Sequence, residues 1–227
     1  MKNRVSKTII NLRYDILAIF CFITRKPFID SCDFIYIMQD HFTKRAKAQG
    51  YRARSVFKLK DIVKKYQFVK PTDSVLDLGA SPGSWMQYLS RFCRYVLGVD
   101  ISDVEDVKGA YFLKKNVMDE DIVKEIQKYK SKFDVIISDM APKTTGQTFV
   151  DQESSLVLCE RAWFIATHVL RGNGNFLCKI FQSKEGDDFL RELRKEFKLV
   201  KTSKPEGSKK KSKEVFYVCI GYKVIRV

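Results

Sequence analysis

The sequence predicts an α/β protein built on a doubly wound sheet. Short apolar runs that read as strands alternate along the chain with amphipathic stretches that read as helices, the pattern of strands joined by crossover helices. A glycine-bearing turn, "DLGASPGSW", lies between the first of these strands and the helix after it, where such sheets gather their ligands. The 227 residues, 45% hydrophobic and 30% charged, suffice for one sizeable domain with its own core.

Residues 1–37 differ in character from the rest of the chain. Their one apolar run, Ile16 to Ile23, comes after Lys2, Arg4, Lys7 and Arg13. It is shorter than the roughly 20 apolar residues that span a bilayer, and no clean small-residue cleavage site succeeds it. The segment is read as an N-terminal appendage, with Met38 as an alternative start and residues 38–227 as a single working domain.

From Met38 a helical pattern runs through Lys65, with Val56, Leu59, Ile62 and Val63 on one face. Pro71 and Asp73 mark a turn. "SVLDLG" is a buried strand entering the glycine turn, "YVLGVD" a second strand and "AYFLKKNV" a third. "DEDIVKEIQKYKSK" reads as a helix, acidic in its first turn and basic later. "DVIISDMAP" is a fourth strand with a polar tip. A long helix from about Gln152 to Leu170 stops at "RGNGN", and "GNFLCKIF" is a fifth strand. "DDFLRELRKEF" is a helix, and "LVKTSKP" and "EVFYVCIGYKV" are the last strands.

The charge is segregated. Residues 38–70 hold 10 basic and 2 acidic residues, a net of +8, and residues 201–223 hold 7 and 2, a net of +5. Residues 71–200 hold 18 and 20, a net of −2. Basic flanks around a near-neutral body suit a polyanion, nucleic acid above all. The six cysteines, Cys21, Cys32, Cys93, Cys159, Cys178 and Cys219, form no C-x-x-C pair. They read as reduced thiols, several of them buried, and not as a zinc site or disulfide framework. His41 and His168 stand at no metal-ligand or triad spacing, so no metal site is expected.

Three features carry chemistry. In the turn, Gly79 and Gly83 allow close backbone approach to a nucleotide-like ligand, and Asp100, ending the second strand, is placed to accept from two ribose hydroxyls. Dinucleotides and S-adenosylmethionine both use this arrangement, but neither G-x-G-x-x-G nor a Walker motif is present. Asp139 opens a polar tip at the fourth strand's end, in Asp139-Met140-Ala141-Pro142. Methyltransferases acting on amino nitrogens usually carry Asn/Asp-Pro-Pro-aromatic there. Lys179 interrupts an apolar strand, where a lysine needs an anionic partner or a task, and Asp139 is the nearest candidate partner.

"RSVFKL", "DLGASPGSWMQYL", "SDMAP", "KIFQ" and "KEVFYV" resemble, in order and spacing, the FtsJ/RrmJ-type RNA ribose 2′-O-methyltransferases. The resemblance covers roughly residues 40–223. It implies the Rossmann-like class I S-adenosylmethionine-dependent methyltransferase fold, a seven-stranded, mostly parallel sheet whose last strand is antiparallel. It also implies a catalytic set of Lys58, Asp139, Lys179 and Glu214, and cofactor contacts at Gly83, Trp85, Asp100, Asn116 and Asp139. Asn116 stands where the bacterial rRNA enzyme has aspartate, and its amide oxygen retains the ability to accept from adenine. Lys179 is then either a general base or a charged group that polarises the hydroxyl. The implied cofactor is S-adenosyl-L-methionine and the implied partner RNA, a uridine of large-subunit ribosomal RNA first and a tRNA ribose second. A non-catalytic RNA-binding assembly factor is the alternative from another class. A cytoplasmic monomer, with no DNA or membrane partner, completes the expectation.

Overall fold

The computed structural model describes residues 41–205 and 213–223. By contacts the chain divides into Met1–Phe42 and Thr43–Val227, and the fold is that of the second unit. The expected appendage, residues 1–37, lies outside the described residues.

The described residues form a seven-stranded sheet of order β3-β2-β1-β4-β5-β7-β6. The strands are β1 (Ser74–Leu78), β2 (Tyr95–Asp100), β3 (Tyr111–Lys114), β4 (Phe133–Ser138), β5 (Leu170–Phe181), β6 (Phe197–Ser203) and β7 (Glu214–Tyr222). The first five pair in parallel, and β7 is antiparallel to both β5 and β6. This is the sheet that the resemblance implies. Every residue of β1 is buried, as befits a central parallel strand covered on both faces.

The helices are α1 (Val56–Tyr66), α2 (Ser84–Leu89), α3 (Ile122–Tyr129), α4 (Thr148–Val169) and α5 (Lys184–Glu196). Leu59 and Ile62 of α1 pack with Trp85, Met86 and Leu89 of α2 on Val75, Val96, Leu177 and Phe216. The other face carries Ile122 and Ile126 of α3, Cys159, Ala162, Ile165 and Val169 of α4, and Phe189 and Leu193 of α5. Each face therefore has its own apolar core, and the sheet is the wall between them.

Several boundaries differ from expectation: the residues RGNGN, expected as a stop between helix and strand, already belong to β5, which begins at Leu170, and three others have a local cause. The helical pattern from Met38 to Lys65 is broken: residues 43–48 are helical, and α1 starts afresh at Val56. Gly50 adopts φ +74°, a left-handed conformation that favours glycine and ends the first piece. The Gly50 and Tyr51 amides donate back to Lys47 and Ala46, and Tyr51 is buried against Ala46 and Val56. At α5, Ser183 accepts from the Gly186 amide at 3.0 Å, so capping starts the helix at Lys184, ahead of the acidic pair at 187–188. At α4, the first turn is already formed at Thr148, and Asp151 accepts from the Thr145 amide just ahead of it at 2.7 Å.

Candidate active site

Parallel strands deliver their carboxyl ends to one edge of the sheet, which is where an α/β protein builds its site. Here that edge gathers Asp100 at the end of β2, Asp139 directly after β4, and Lys179 near the end of β5. Because β7 runs the other way, its first residue arrives at the same edge: Glu214 stands opposite Phe181 in the β5–β7 ladder. Reversal of that one strand thus converts a loop-to-strand boundary into a site position.

The four expected catalytic residues meet as two ion pairs. Lys179 Nζ donates to Asp139 Oδ1 at 2.7 Å and to the Asp139 carbonyl. Lys58 Nζ, from α1, donates to Glu214 Oε1 at 2.5 Å. Lys179 is 7% exposed and Asp139 18%, so the amine is withdrawn from water and held against its acidic partner. Phe216 lies opposite Lys179 in the ladder; its ring packs near the Trp85 indole, and Lys58 Nζ is 6.0 Å from its centroid. Lysine and acid pairs therefore stand on an apolar floor, where a charge interacts more strongly than in bulk water.

Beside them lies the glycine turn. Gly79 and Gly83 have φ of +80° and +99°. A Cβ on Gly79 would meet Met140 Cγ at 2.6 Å, and one on Gly83 would meet Arg52 Nη1 at 2.7 Å. Both conformation and space thus require glycine. The Ser81–Pro82 peptide between them is cis. Trp85 is buried, its indole N–H donating to the Ser55 carbonyl at 3.0 Å, which ties α2 to the start of α1. Asp100 accepts from the Ser81 and Ser102 amides at 2.9 and 2.8 Å. Those bonds orient the carboxylate and leave further lone pairs on each oxygen. Asn116 is exposed, its amide oxygen accepting from the Met118 amide at 2.9 Å, so the acceptor expected to face adenine is oriented by its own loop.

Two groups of residues here were not read from the sequence as site residues, and a third has a different task from the one expected. Asp77, within the turn motif, is fully buried and neither carboxylate oxygen has a hydrogen-bond partner. Burial, then the nearby Asp139 and Asp100 carboxylates, push its carboxyl well above the usual carboxylate range. Ile101 and Met118, directly after Asp100 and close after Asn116, are exposed apolar side chains at 64% and 48%; an apolar residue following each polar acceptor was the available signal. Arg52, one of the cations in the basic segment 38–70 read as suiting a polyanion, instead donates to the carbonyls of Pro82, Glu105 and Asp106 and pairs with Glu105. It clamps the loop after β2 against the glycine turn, because a guanidinium's five donors match several fixed carbonyls at once.

These features fit a cofactor that is part nucleoside and part cation. An oriented carboxylate suits ribose hydroxyls, exposed apolar side chains suit a base, and an unpartnered buried acid among other acids suits positive charge. Cys159, Cys178 and Cys219 are buried free thiols and Cys93 is half-buried; burial pushes the Cys93 thiol up to about 12, so it is inert at neutral pH. Cys21 and Cys32 lie outside the described residues.

The model of the FtsJ-like methyltransferase family matches residues 51–222. Curated relatives named ribosomal RNA large subunit methyltransferase E include those of Bdellovibrio bacteriovorus, 44% identical over 83% of this chain and 99% of the relative, and Wolbachia pipientis, 38% identical over 82% and 96%. A Plasmodium falciparum structure described as a ribosomal RNA methyltransferase superposes with TM-score 0.68 at 25% identity, covering 76% of this chain and 98% of that one. The fibrillarin of Methanococcus jannaschii shares the fold at TM-score 0.52 and 17% identity, over 74% and 76%. With a family model spanning most of its length and relatives matched nearly end to end, this chain belongs to the FtsJ-like methyltransferase family.

Proposed function

We propose that the protein transfers a methyl group from S-adenosyl-L-methionine to a ribose 2′-hydroxyl, that of a uridine in large-subunit ribosomal RNA. The observation that carries this reading is the Lys179–Asp139 pair beside the glycine turn, with Lys58–Glu214 joining α1 to β7. The names of the relatives direct the choice of ribosomal RNA. A ribose hydroxyl as the reacting group selects RNA over DNA.

Gly83, Trp85, Asp100, Asn116 and Asp139 would hold the cofactor, with Asp77 behind them and Ile101 and Met118 beside its base. When bound, the cofactor supplies a methyl group already activated on a sulfonium. The protein's task is then to present a poorly nucleophilic oxygen in line, and much of the acceleration comes from that positioning. Lys179 donates to the 2′-oxygen and stabilises the negative charge that grows there as the hydroxyl proton passes to solvent water. Asp139 holds the Lys179 ammonium at the end of β4. Lys58 and Glu214 bind the ribose and keep α1 against the sheet edge.

The basic segment 38–70 and the stretch 201–213 would bear on RNA phosphates; residues 206–212 of the latter lie outside the described residues. Residues 1–37 are proposed as an appendage, so a chain begun at Met38 should methylate at the full rate. Among the described residues no helix is long and apolar enough to cross a membrane, and a monomer acting on ribosomal subunits in the cytoplasm is proposed.

The test offers labelled S-adenosylmethionine with large ribosomal subunits, bare ribosomal RNA or tRNA, and then maps the product. Label on a 2′-oxygen of large-subunit RNA is expected. Label on tRNA alone would move the substrate assignment, and none on any RNA would leave a binding factor.

A further inference from the structure

β4 and β5 run in register as far as the pair Ser138 and Cys178. There β4 ends, and the chain turns away as Asp139. β5 continues to Phe181 along β7, so its other edge has lost its strand at the point where it carries Lys179. Alternate residues of a strand present their backbone groups to the same side. The Lys179 carbonyl and the Phe181 amide would therefore both face the missing neighbour, and buried backbone groups are rarely left unpaired.

Helix α4 supplies what β4 does not. Cys159 Sγ donates to the Lys179 carbonyl, Ser155 Oγ accepts from the Phe181 amide at 3.1 Å, and the Gln152 side-chain amide donates to the Gln182 carbonyl. Positions 152, 155 and 159 lie on one face of a helix, a turn apart. Ser155 and Cys159 are 1% and 2% exposed. A serine and a cysteine where a core helix would otherwise put alanine or leucine are explained by these bonds. On the other edge, the Gln182 amide donates to the Lys213 carbonyl, so the end of β5 is held on both sides.

We propose that Ser155 and Cys159 are positioning residues for Lys179, acting as a surrogate strand that fixes the backbone from which the lysine reaches Asp139. The inference rests on the methyltransferase reading of that lysine. Neither residue touches substrate; each acts through the β5 backbone. Loosening that backbone should displace the ammonium from the line of attack while leaving the glycine turn and the basic surface intact.

The test compares Ser155→Ala, Ser155→Thr and Cys159→Ala with the wild-type full chain, varying S-adenosylmethionine and ribosomal subunits each in turn up to saturation. Ser155→Ala is expected to lower kcat about tenfold with both KM values unchanged, since small misplacements of reacting groups are costly. Ser155→Thr, which keeps the hydroxyl, should restore most of the rate, and Cys159→Ala should lower kcat about threefold because a thiol is a weak donor. Amide exchange at residues 179–182 should quicken in Ser155→Ala with the rest of β5 unchanged. A Ser155→Ala protein with wild-type kcat, or a loss in KM alone, or a loss that threonine does not repair, would overturn the proposal. If the wild-type chain methylates no RNA, the proposed function falls and exchange alone decides: quickening confined to 179–182 supports the surrogate strand, and unchanged exchange refutes it.

Discussion

Lys179 and Asp77 show how differently two buried ionisable groups are handled within one site. Lys179 has its acid, at 2.7 Å; Asp77 has no hydrogen-bond partner and two acidic neighbours. Replacing Lys179 by Met retains the stem and removes the charge. The expected outcome is a kcat lower by about 10²–10⁴, the span of a positioned polar catalyst, with binding of S-adenosylhomocysteine measured by calorimetry within twofold of wild type. A Lys179→Met enzyme at half the wild-type rate would refute the mechanism without touching the fold. For Asp77 the prediction concerns stability. Its folded pKa is raised above the ordinary value near 3.8, so the folded state holds the proton more tightly than the unfolded chain does. That stabilisation is complete below about pH 3.8 and is lost as pH rises through the folded value. Asp77→Asn cannot ionise, so its stability relative to wild type should climb with pH above 4. A denaturant series from pH 4 to 8 checks this, and a constant difference across the range would show that Asp77 ionises normally.

At the scale of elements, the site depends on strand ends and on helices that reach across them. Alternating strands and helices were legible because apolar runs of strand length separated by amphipathic stretches allow few other architectures. The direction of β7 was not: a run buried on both faces, as in "EVFYVCIGY", has no polarity in its pattern, and the family resemblance supplied it. The break before α1 escaped because Val56, Leu59, Ile62 and Val63 all lie beyond Gly50: a spacing present only in the second piece was extended back to Met38, across a residue whose left-handed backbone ends the first. Lys179 stood out in the sequence because a lysine in an apolar strand demands a partner, and the structure supplies Asp139, whereas Ser155 and Cys159 acquire meaning only from where β4 stops. Helix α4 also holds the loop after Asn116, through Arg161 to the Val117 and Asp119 carbonyls at 2.6 and 2.7 Å. One helix thereby bears on both halves of the site. Across the sheet, Lys58–Glu214 joins α1 to β7 at 2.5 Å, with both side chains mostly buried. A double-mutant cycle with Lys58→Met and Glu214→Gln should give a coupling energy of about 1–3 kcal/mol in thermal or denaturant stability. Additive effects, within a few tenths of a kcal/mol, would mean the pair contributes no tie between the two elements.

For the whole molecule the deciding property is where charge lies relative to the chemical edge. The body from 71 to 200 is near neutral, at −2, while residues 38–70 carry +8. That second segment includes α1, which delivers Lys58, so the cations are attached to the element that enters the site. Within it the structure separates roles that the sequence ran together. Arg52 is engaged by three carbonyls and Lys60 lies 4.3 Å from the Tyr51 ring centroid, while Lys47 is exposed and Arg54 half-exposed directly before α1. Lys47 and Arg54 are therefore the phosphate contacts to test. Each phosphate neutralised by a cation releases condensed counterions, and the slope of log K against log salt records their number at about 0.7–0.9 per contact. Lys47→Gln and Arg54→Gln should each lower the slope for RNA by about that amount, weaken binding most at low salt, and leave kcat at saturating RNA unchanged. Arg52→Gln should instead weaken S-adenosylhomocysteine binding, with little change in the salt slope. If Arg52→Gln flattened the slope and left cofactor binding intact, its guanidinium would face phosphate in the complex, and the clamp between the glycine turn and the loop after β2 would belong to the free protein alone.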